Sequence, residues 1–329
     1  MLAGGRSTVG ELRTDLALEA TQHAQKGQGG LAGLPGVRVE ERRHGDIVVH
    51  RVDVLDEEGE RATGKARGHY VTLDTPGVRN RDRGLQEQVA RALAEEIRRM
   101  LPIGPDAHVL VVGLGNWNAT PDALGPRVVD NLLVTRHLQN QVPADLRGGL
   151  RPVSAIAPGV LGLTGIETTD IIAGIVKEIR PDAVLAVDAL AARSIRRICS
   201  TIQLADTGIR PGSGVGNDRG GISRETLGVE HVLAIGVPTV VHAFTIASDT
   251  VDLLIESLRS RPGFGDCFRN FSPEQKNRLI EEVLSPTVGD LMVTPKEIDV
   301  IIEDMSRVVA AGINAALHPR VAEQPTLVF

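Results

Sequence analysis

The stretch HVLVVGLGNWNATPDALGP, residues 108–126, decides the fold. Val109–Val112 is a short, continuous apolar run closed by Gly113, the pattern of a strand buried on both faces. Gly113 and Gly115 mark a tight turn. Pro126 then suits the first turn of a helix whose apolar face carries Val128, Val129, Leu132 and Leu133. The same alternation recurs downstream. PVSAIAP (152–158), AVLAVDA (183–189) and HVLAIGVP (231–238) read as further buried strands. Thr168 or Thr169 is placed to cap a helix bearing Ile171, Ile172, Ile175, Val176 and Ile179. Strands alternating with helices predict an α/β fold, a mostly parallel twisted sheet flanked by helices with right-handed crossovers.

Upstream, residues 37–59 alternate in polarity and break at His44-Gly45-Asp46, which predicts a hairpin. HYVTLDTPG (69–77) adds a strand, giving an N-terminal β-rich segment. Leu85, Val89, Leu93 and Ile97 predict a helix over 84–100. The C-terminal part reads as helical: SPEQ (272–275) and TPKE (294–297) resemble capping boxes, and Ile298 to Ile313 carry a helical apolar stripe. Residues 1–36 are Gly-rich and polar and read as a poorly anchored arm. The expectation is one domain preceded by an arm.

The composition excludes several classes of function. Aromatics are 2 % and the net charge is −6 without a basic stripe, which argues against direct nucleic-acid binding. Two cysteines, Cys199 and Cys267, cannot build a disulfide framework, so a reducing cytoplasmic compartment is expected. No apolar run reaches the ~20 residues of a membrane span. Metal-binding pairs such as H-E-x-x-H or C-x-x-C are absent, so no metal and no cofactor is expected. Ser154, Ser194 and Ser223 lack a G-x-S-x-G elbow. Cys199, in ICSTIQLA (198–205), reads as a core residue.

In an open parallel sheet, ligands collect beyond the carboxyl ends of the strands. Asp122 follows one such strand and Asp188 ends another, so both carboxylates emerge on one edge. Two facing carboxyls share one proton, leaving one base and one acid, a pair able to activate water and protonate a leaving amide. Turn-closing and helix-capping roles for these aspartates remain open on spacing alone. GLGN (113–116) begins a dinucleotide fingerprint but lacks its third glycine and the ribose-binding acid. A Gly-rich loop at 208–221, containing Gly214 and Gly216, could cradle an anion or cover a peptide.

Long strings in this chain resemble the germination protease family of spore-forming bacteria. They include RTDLALEA (13–20), VVGLGNWNATPDALGP (111–126), APGVLGLTGIET (157–168), AVDALAAR (186–193), PGSGVGN (211–217), LMVTPKEID (291–299) and GINAALH (312–318). The resemblance spans nearly the whole chain. It implies an endopeptidase, made as a zymogen, that starts the breakdown of small acid-soluble spore proteins in the forespore and spore core, and it implies a homotetramer. A more distant likeness in fold to hydrogenase-maturation endopeptidases singles out Asp122 and Asp188 as the functional pair, with Asn116, Asn118, Gly214 and Gly216 orienting the substrate. A metal-dependent endopeptidase using the same two carboxylates is the alternative enzyme reading; a dinucleotide-binding module is the non-enzymatic one.

Thr14-Asp15-Leu16-Ala17-Leu18-Glu19 is similar to the sites such proteases cut: Thr or Ser, an acid, a large apolar residue, Ala, any residue, Glu. This implies self-cleavage between Asp15 and Leu16, with residues 1–15 as pro-segment and 16–329 as the protease domain. Two departures from the family pattern stand out. The segment 260–277 is short, and position 242 is His where an acidic residue is expected.

Overall fold

The computed structural model describes residues 14–27, 33–143, 150–210, 221–259, 275–280, 282 and 291–319. Nine strands form one sheet: β1 (Val37–His44), β2 (Ile47–Val54), β3 (Gly68–Asp74), β4 (Val109–Gly113), β5 (Val153–Ile156), β6 (Ala183–Ala192), β7 (Thr201–Ala205), β8 (His231–His242) and β9 (Met292–Val293). Their order is β1-β2-β3-β7-β8-β6-β4-β5, with β9 pairing β8 beyond the β7 ladder.

β5, β4, β6 and β8 are parallel, as the strand–helix alternation requires. The N-terminal β-rich segment adds to this unit through β7. β1, β2, β3 and β7 run antiparallel to one another, and β7 runs antiparallel to β8, so the whole sheet is mixed. The predicted hairpin is present, with Gly45 at φ 60°, the left-handed conformation its two-residue turn needs.

Helices cover both faces. On one face α3 (Arg83–Met100), α4 (Leu124–Asp130) and α9 (Ile298–Leu317) pack on Val109 and Val111 of β4, Leu185 and Val187 of β6, and Leu233 and Ile235 of β8. The alternate residues of the same strands face the other way. Leu110, Val112, Val184 and Ala186 meet Ile172 and Val176 of α6 (Thr168–Ile179). Farther along that second face, Ala17 and Leu18 of α1 (Ala17–Gly27) pack on Val52, Tyr70, Ala205 and Ala234. Short helices α2 (Glu57–Thr63), α5 (Leu161–Thr164) and α7 (Arg224–Leu227) and the longer α8 (Ala243–Arg259) lie among the connections. No helix among the described residues is long and apolar enough to cross a membrane.

Several local expectations are corrected. Thr168 and Thr169 do not cap α6: Glu167 occupies that position, and the Thr168 hydroxyl donates to the Gly159 carbonyl instead. Thr294 does not cap α9, which starts after Glu297; its hydroxyl donates to the carbonyl of Thr239 on β8, tying β9 to the sheet. Cys199 is fully buried but precedes β7, at φ 50°, where its N–H donates to Pro238. The box at Ser272 lies outside the described residues.

The largest difference concerns the arm. Residues 14–27 are anchored, because Leu16, Ala17, Leu18 and Ala20 are apolar and find a seat on the sheet; Leu16 and Ala17 have no exposed surface.

Candidate active site

Glycine chemistry places Asp122. A Cβ on Gly113 would lie 2.2 Å from the Gly125 carbonyl oxygen, and one on Gly125 would lie 2.2 Å from that of Leu114. β4 and the start of α4 therefore touch backbone to backbone. Gly115, at φ 117°, turns the chain across the carbonyl of Asp122. These glycines serve close packing, the reason a dinucleotide fingerprint is only half present. The turn over Thr120–Asp122 then aims the Asp122 carboxylate back at the loop, where it accepts the Asn116 N–H at 2.7 Å.

Asp188 does not end its strand. β6 runs on to Ala192, but β4 stops at Gly113, opposite Val187, so β6 keeps only β8 as a partner beyond that point. Asp188 stands at this step, 6 % exposed, on the face shared by Ala186 and Leu190. Its carboxylate accepts the N–H of Ala189.

The two carboxyls differ in environment. Burial pushes Asp188 well above the usual carboxylate range, and the negative charge of Asp122 pushes it in the same direction, with Asp15 adding a smaller push. Burial also raises Asp122, but the Asn116 N–H works against it. Asp188 is thus the carboxyl held more strongly toward its neutral form. A hard cation would find these two carboxylates. No group of three or more His, Cys, Asp or Glu side chains suited to a metal exists among the described residues.

Of the other sequence candidates, Asn116 contributes its N–H to Asp122, while its side chain accepts the Asn118 N–H and closes the loop. The Asn118 side chain is exposed. Gly214 and Gly216 lie outside the described residues, as does most of the short 260–277 segment. His242 is buried at the end of β8, beside Met292 of β9.

The Asp15–Leu16 peptide docks against the same part of the sheet. Asp15 exchanges two hydrogen bonds with Ala191 of β6: its N–H donates to the Ala191 carbonyl at 3.0 Å, and its carboxylate accepts the Ala191 N–H at 2.8 Å. Leu16 fills a seat made by Leu190, Ala192 and Ile209. The Ala17 N–H donates to Gln203 Oε1 at 2.7 Å. Glu19 is 5 % exposed and accepts the N–H groups of Arg193 and Ser194 at 2.7 and 2.9 Å, with the Arg197 guanidinium 3.5 Å away. The Thr14 hydroxyl donates to Glu19 and accepts the Leu16 N–H. Asp15, Leu16, Ala17 and Glu19 therefore each meet β6, β7 or the turn between them, while Thr14 braces Glu19 from within the segment.

Sequence reading did not find Lys65, Gln203 or Arg197. Gln203 carried a signal, being a polar residue inside the apolar strand TIQLA (201–205). Lys65 is one of five lysines in a chain that otherwise uses arginine.

The chain has relatives of one family along nearly its whole length. A family model described as germination protease matches residues 14–262 and 264–329. A germination protease of Caldanaerobacter subterraneus subsp. tengcongensis is 50 % identical over 317 residues, covering 95 % of this chain and 96 % of the relative. One of Bacillus cereus strain G9842 is 47 % identical over 353 residues, covering 96 % of each. Among solved structures, the [NiFe] hydrogenase maturation protease HycI of Thermococcus kodakarensis matches 54 % of this chain and 91 % of its own, at 18 % identity and a TM-score of 0.26, too low to carry an argument about the site. With near-complete coverage by the family model and by relatives at about half identity, the chain belongs to the germination protease family and is a peptidase.

Proposed function

We propose that this chain is an endopeptidase zymogen that cuts itself between Asp15 and Leu16 and then degrades small acid-soluble spore proteins in the spore core. One observation carries the reading: the segment matching the substrate pattern is docked on β6 and β7, with Asp15 bonded to Ala191, three residues along the strand from the buried Asp188.

The chemistry follows from that inequality. Asp122, ionised, takes a proton from a water as its oxygen adds to the scissile carbonyl carbon. Asp188, neutral, gives its proton to the departing amide nitrogen. The Asp15–Leu16 bond lies just ahead of α1, outside its hydrogen-bonded turns. The net charge of −6 supports a protease that leaves DNA to its substrates. The family resemblance supports a homotetramer, which light scattering of the purified protein would test.

Incubation of the purified full chain, followed by N-terminal sequencing, tests the self-cleavage; a new terminus at Leu16 is expected. Mass-spectrometric mapping of a small acid-soluble spore protein digested by the processed enzyme tests the substrate class. A fully active protein that retains residues 1–15 would defeat the zymogen reading.

A further inference from the structure

Two carbonyls ahead of helix α1 take their donors from side chains. Its first internal hydrogen bond runs from the Ala20 N–H to the Leu16 carbonyl, so the carbonyls of Thr14 and Asp15 fall outside the helical ladder. Side chains supply their donors. The Lys65 ammonium donates to the Thr14 carbonyl at 2.9 Å and to the Asp15 carbonyl at 3.1 Å. Gln203 Nε2 donates to the Asp15 carbonyl at 3.2 Å. Two donors thus converge on a single carbonyl oxygen, that of the bond assigned above as scissile.

The two donors come from different places. Lys65 follows α2, in the turn leading to β3, whereas Gln203 lies in β7. Gln203 also takes the Ala17 N–H, so one amide side chain grips the peptide on both sides of the bond. Its position across the sheet is fixed: Gln203 is in register with Gly236 of β8, and Gly236 with Asp188 of β6. A cavity of about 630 Å³, lined in part by Asp15, Lys65, Gln203 and Gly236, opens against this carbonyl and leaves room for water. The Lys65 ammonium is held away from bulk solvent, which lowers its proton affinity, while the negative charges of Asp15 and Glu19 act the other way.

We propose that Lys65 and Gln203 form the oxyanion-binding pair of this peptidase, holding the carbonyl oxygen of the residue before the scissile bond as negative charge develops on it. The proposal rests on Asp15–Leu16 being the bond that is cut. As the water oxygen bonds to the Asp15 carbonyl carbon, the π electron pair moves onto the oxygen that Lys65 and Gln203 already face. Asp122 takes the water's proton. When the tetrahedral centre collapses, the pair returns to form the carbonyl, the carbon–nitrogen bond breaks, and Leu16 nitrogen receives the Asp188 proton. The carboxyl pair ends with its one proton on the other partner. Donors already in place need no rearrangement as this charge appears, which makes such contacts strong.

The test uses the full chain, with self-cleavage followed by mass spectrometry and amide hydrogen exchange recording whether residues 16–20 remain docked. Lys65→Met and Gln203→Leu are each expected to slow cleavage by about 10²–10³-fold, the usual loss for one oxyanion donor. Exchange protection of residues 18–20, the stretch on which docking is judged, stays as in the wild type; the Ala17 N–H is left out of that comparison because Gln203→Leu removes its acceptor. Lys65→Arg, which keeps a cationic donor, recovers part of the rate. On a peptide spanning Thr14–Glu19, the processed variants lose kcat with KM nearly unchanged. Wild-type rates in either of the first two variants, or a slowing matched by lost protection, would overturn the pair. If the wild-type chain is not cut between Asp15 and Leu16, the assignment of the bond fails first and takes the pair with it; if it is cut there and the variants cut equally fast, only the pair falls.

Discussion

Gln203 and Asp188 lie in one row across three strands, separated only by Gly236, with both side chains on the sheet face where α1 begins. Strand spacing puts their backbones roughly 10 Å apart. A side chain on Gly236 would collide with Leu190, whose Cδ1 sits 2.4 Å from where its Cβ would be. Leu190 therefore lies over the row and helps seat Leu16. A docked peptide is thus approached from two sides, by a buried acid from β6 and an amide from β7.

The carboxyl pair makes the first prediction. Asp122→Asn and Asp188→Asn each remove one proton-transfer group without changing side-chain volume. Both variants are expected to lose self-cleavage and cleavage in trans by at least about 10²-fold, the lower range for a lost general acid or base. Circular dichroism should remain that of the wild type. A folded variant with wild-type turnover would remove that aspartate from the mechanism.

Stability against pH gives the second prediction, with a defined sign. The folded-state pKa of Asp188 is raised, so below the unfolded value near 3.9 it costs the fold nothing. As pH rises from there toward the folded value, the unfolded chain ionises while the folded one does not, and stability is lost. Asp188→Asn abolishes that dependence. Its melting temperature should match the wild type near pH 4 and exceed it by a growing margin as pH increases toward 7. An Asn variant less stable than the wild type at pH 7 would contradict the environment assigned to this carboxyl.

Gly125 carries the third prediction. A methyl group there would press on the Leu114 nitrogen at 2.4 Å and the Val187 carbonyl at 2.6 Å, both backbone atoms with nowhere to go. Gly125→Ala is expected to cost about 3 kcal/mol, the upper range for overpacking, and to displace the turn that carries Asp122. Melting temperature and self-cleavage should fall together. A variant of unchanged melting temperature would show that the β4–α4 contact is looser than described.

Much of this was readable before the structure, and the rest was not for physical reasons. The parallel strands announce themselves because burial on both faces leaves continuous apolar runs; the run of β6 past Asp188 to Ala192 does not, since an acidic residue reads as the end of such a run. The anchoring of residues 14–20 was misread because glycines and polar residues around it suggest a loose arm, whereas four apolar side chains inside it find seats on a distant surface. The partnership of Lys65 and Gln203 with Asp15 is not legible in the sequence for a related reason. They meet Asp15 across separations of 50 and 188 residues, and no local periodicity records a contact of that range.

The last prediction concerns the final Glu of the docked string. Glu19 is almost fully buried, yet its carboxylate is matched: two backbone N–H groups at Arg193 and Ser194, the Thr14 hydroxyl, and the Arg197 guanidinium. Arg197 is itself held by Asp74, through bonds of 2.7 and 3.0 Å, so it does not depend on Glu19 for its place. A site of this kind selects a charged acceptor, because hydrogen bonds to a carboxylate are worth about 1.5–3 kcal/mol against about 1 for a neutral group. Glu19→Gln puts an amide donor against one of the two N–H donors and is expected to slow self-cleavage about 10–100-fold. The same replacement in a peptide spanning residues 14–19, offered to processed wild-type enzyme, should raise KM more than it lowers kcat, since the contact lies four residues from the bond and holds substrate and transition state alike. Arg197→Gln should narrow the preference for Glu over Gln at that position while leaving cleavage between Asp15 and Leu16. Equal rates on the Glu and Gln peptides with the wild-type enzyme would show that the buried carboxylate anchors the fold and plays no part in choosing the bond.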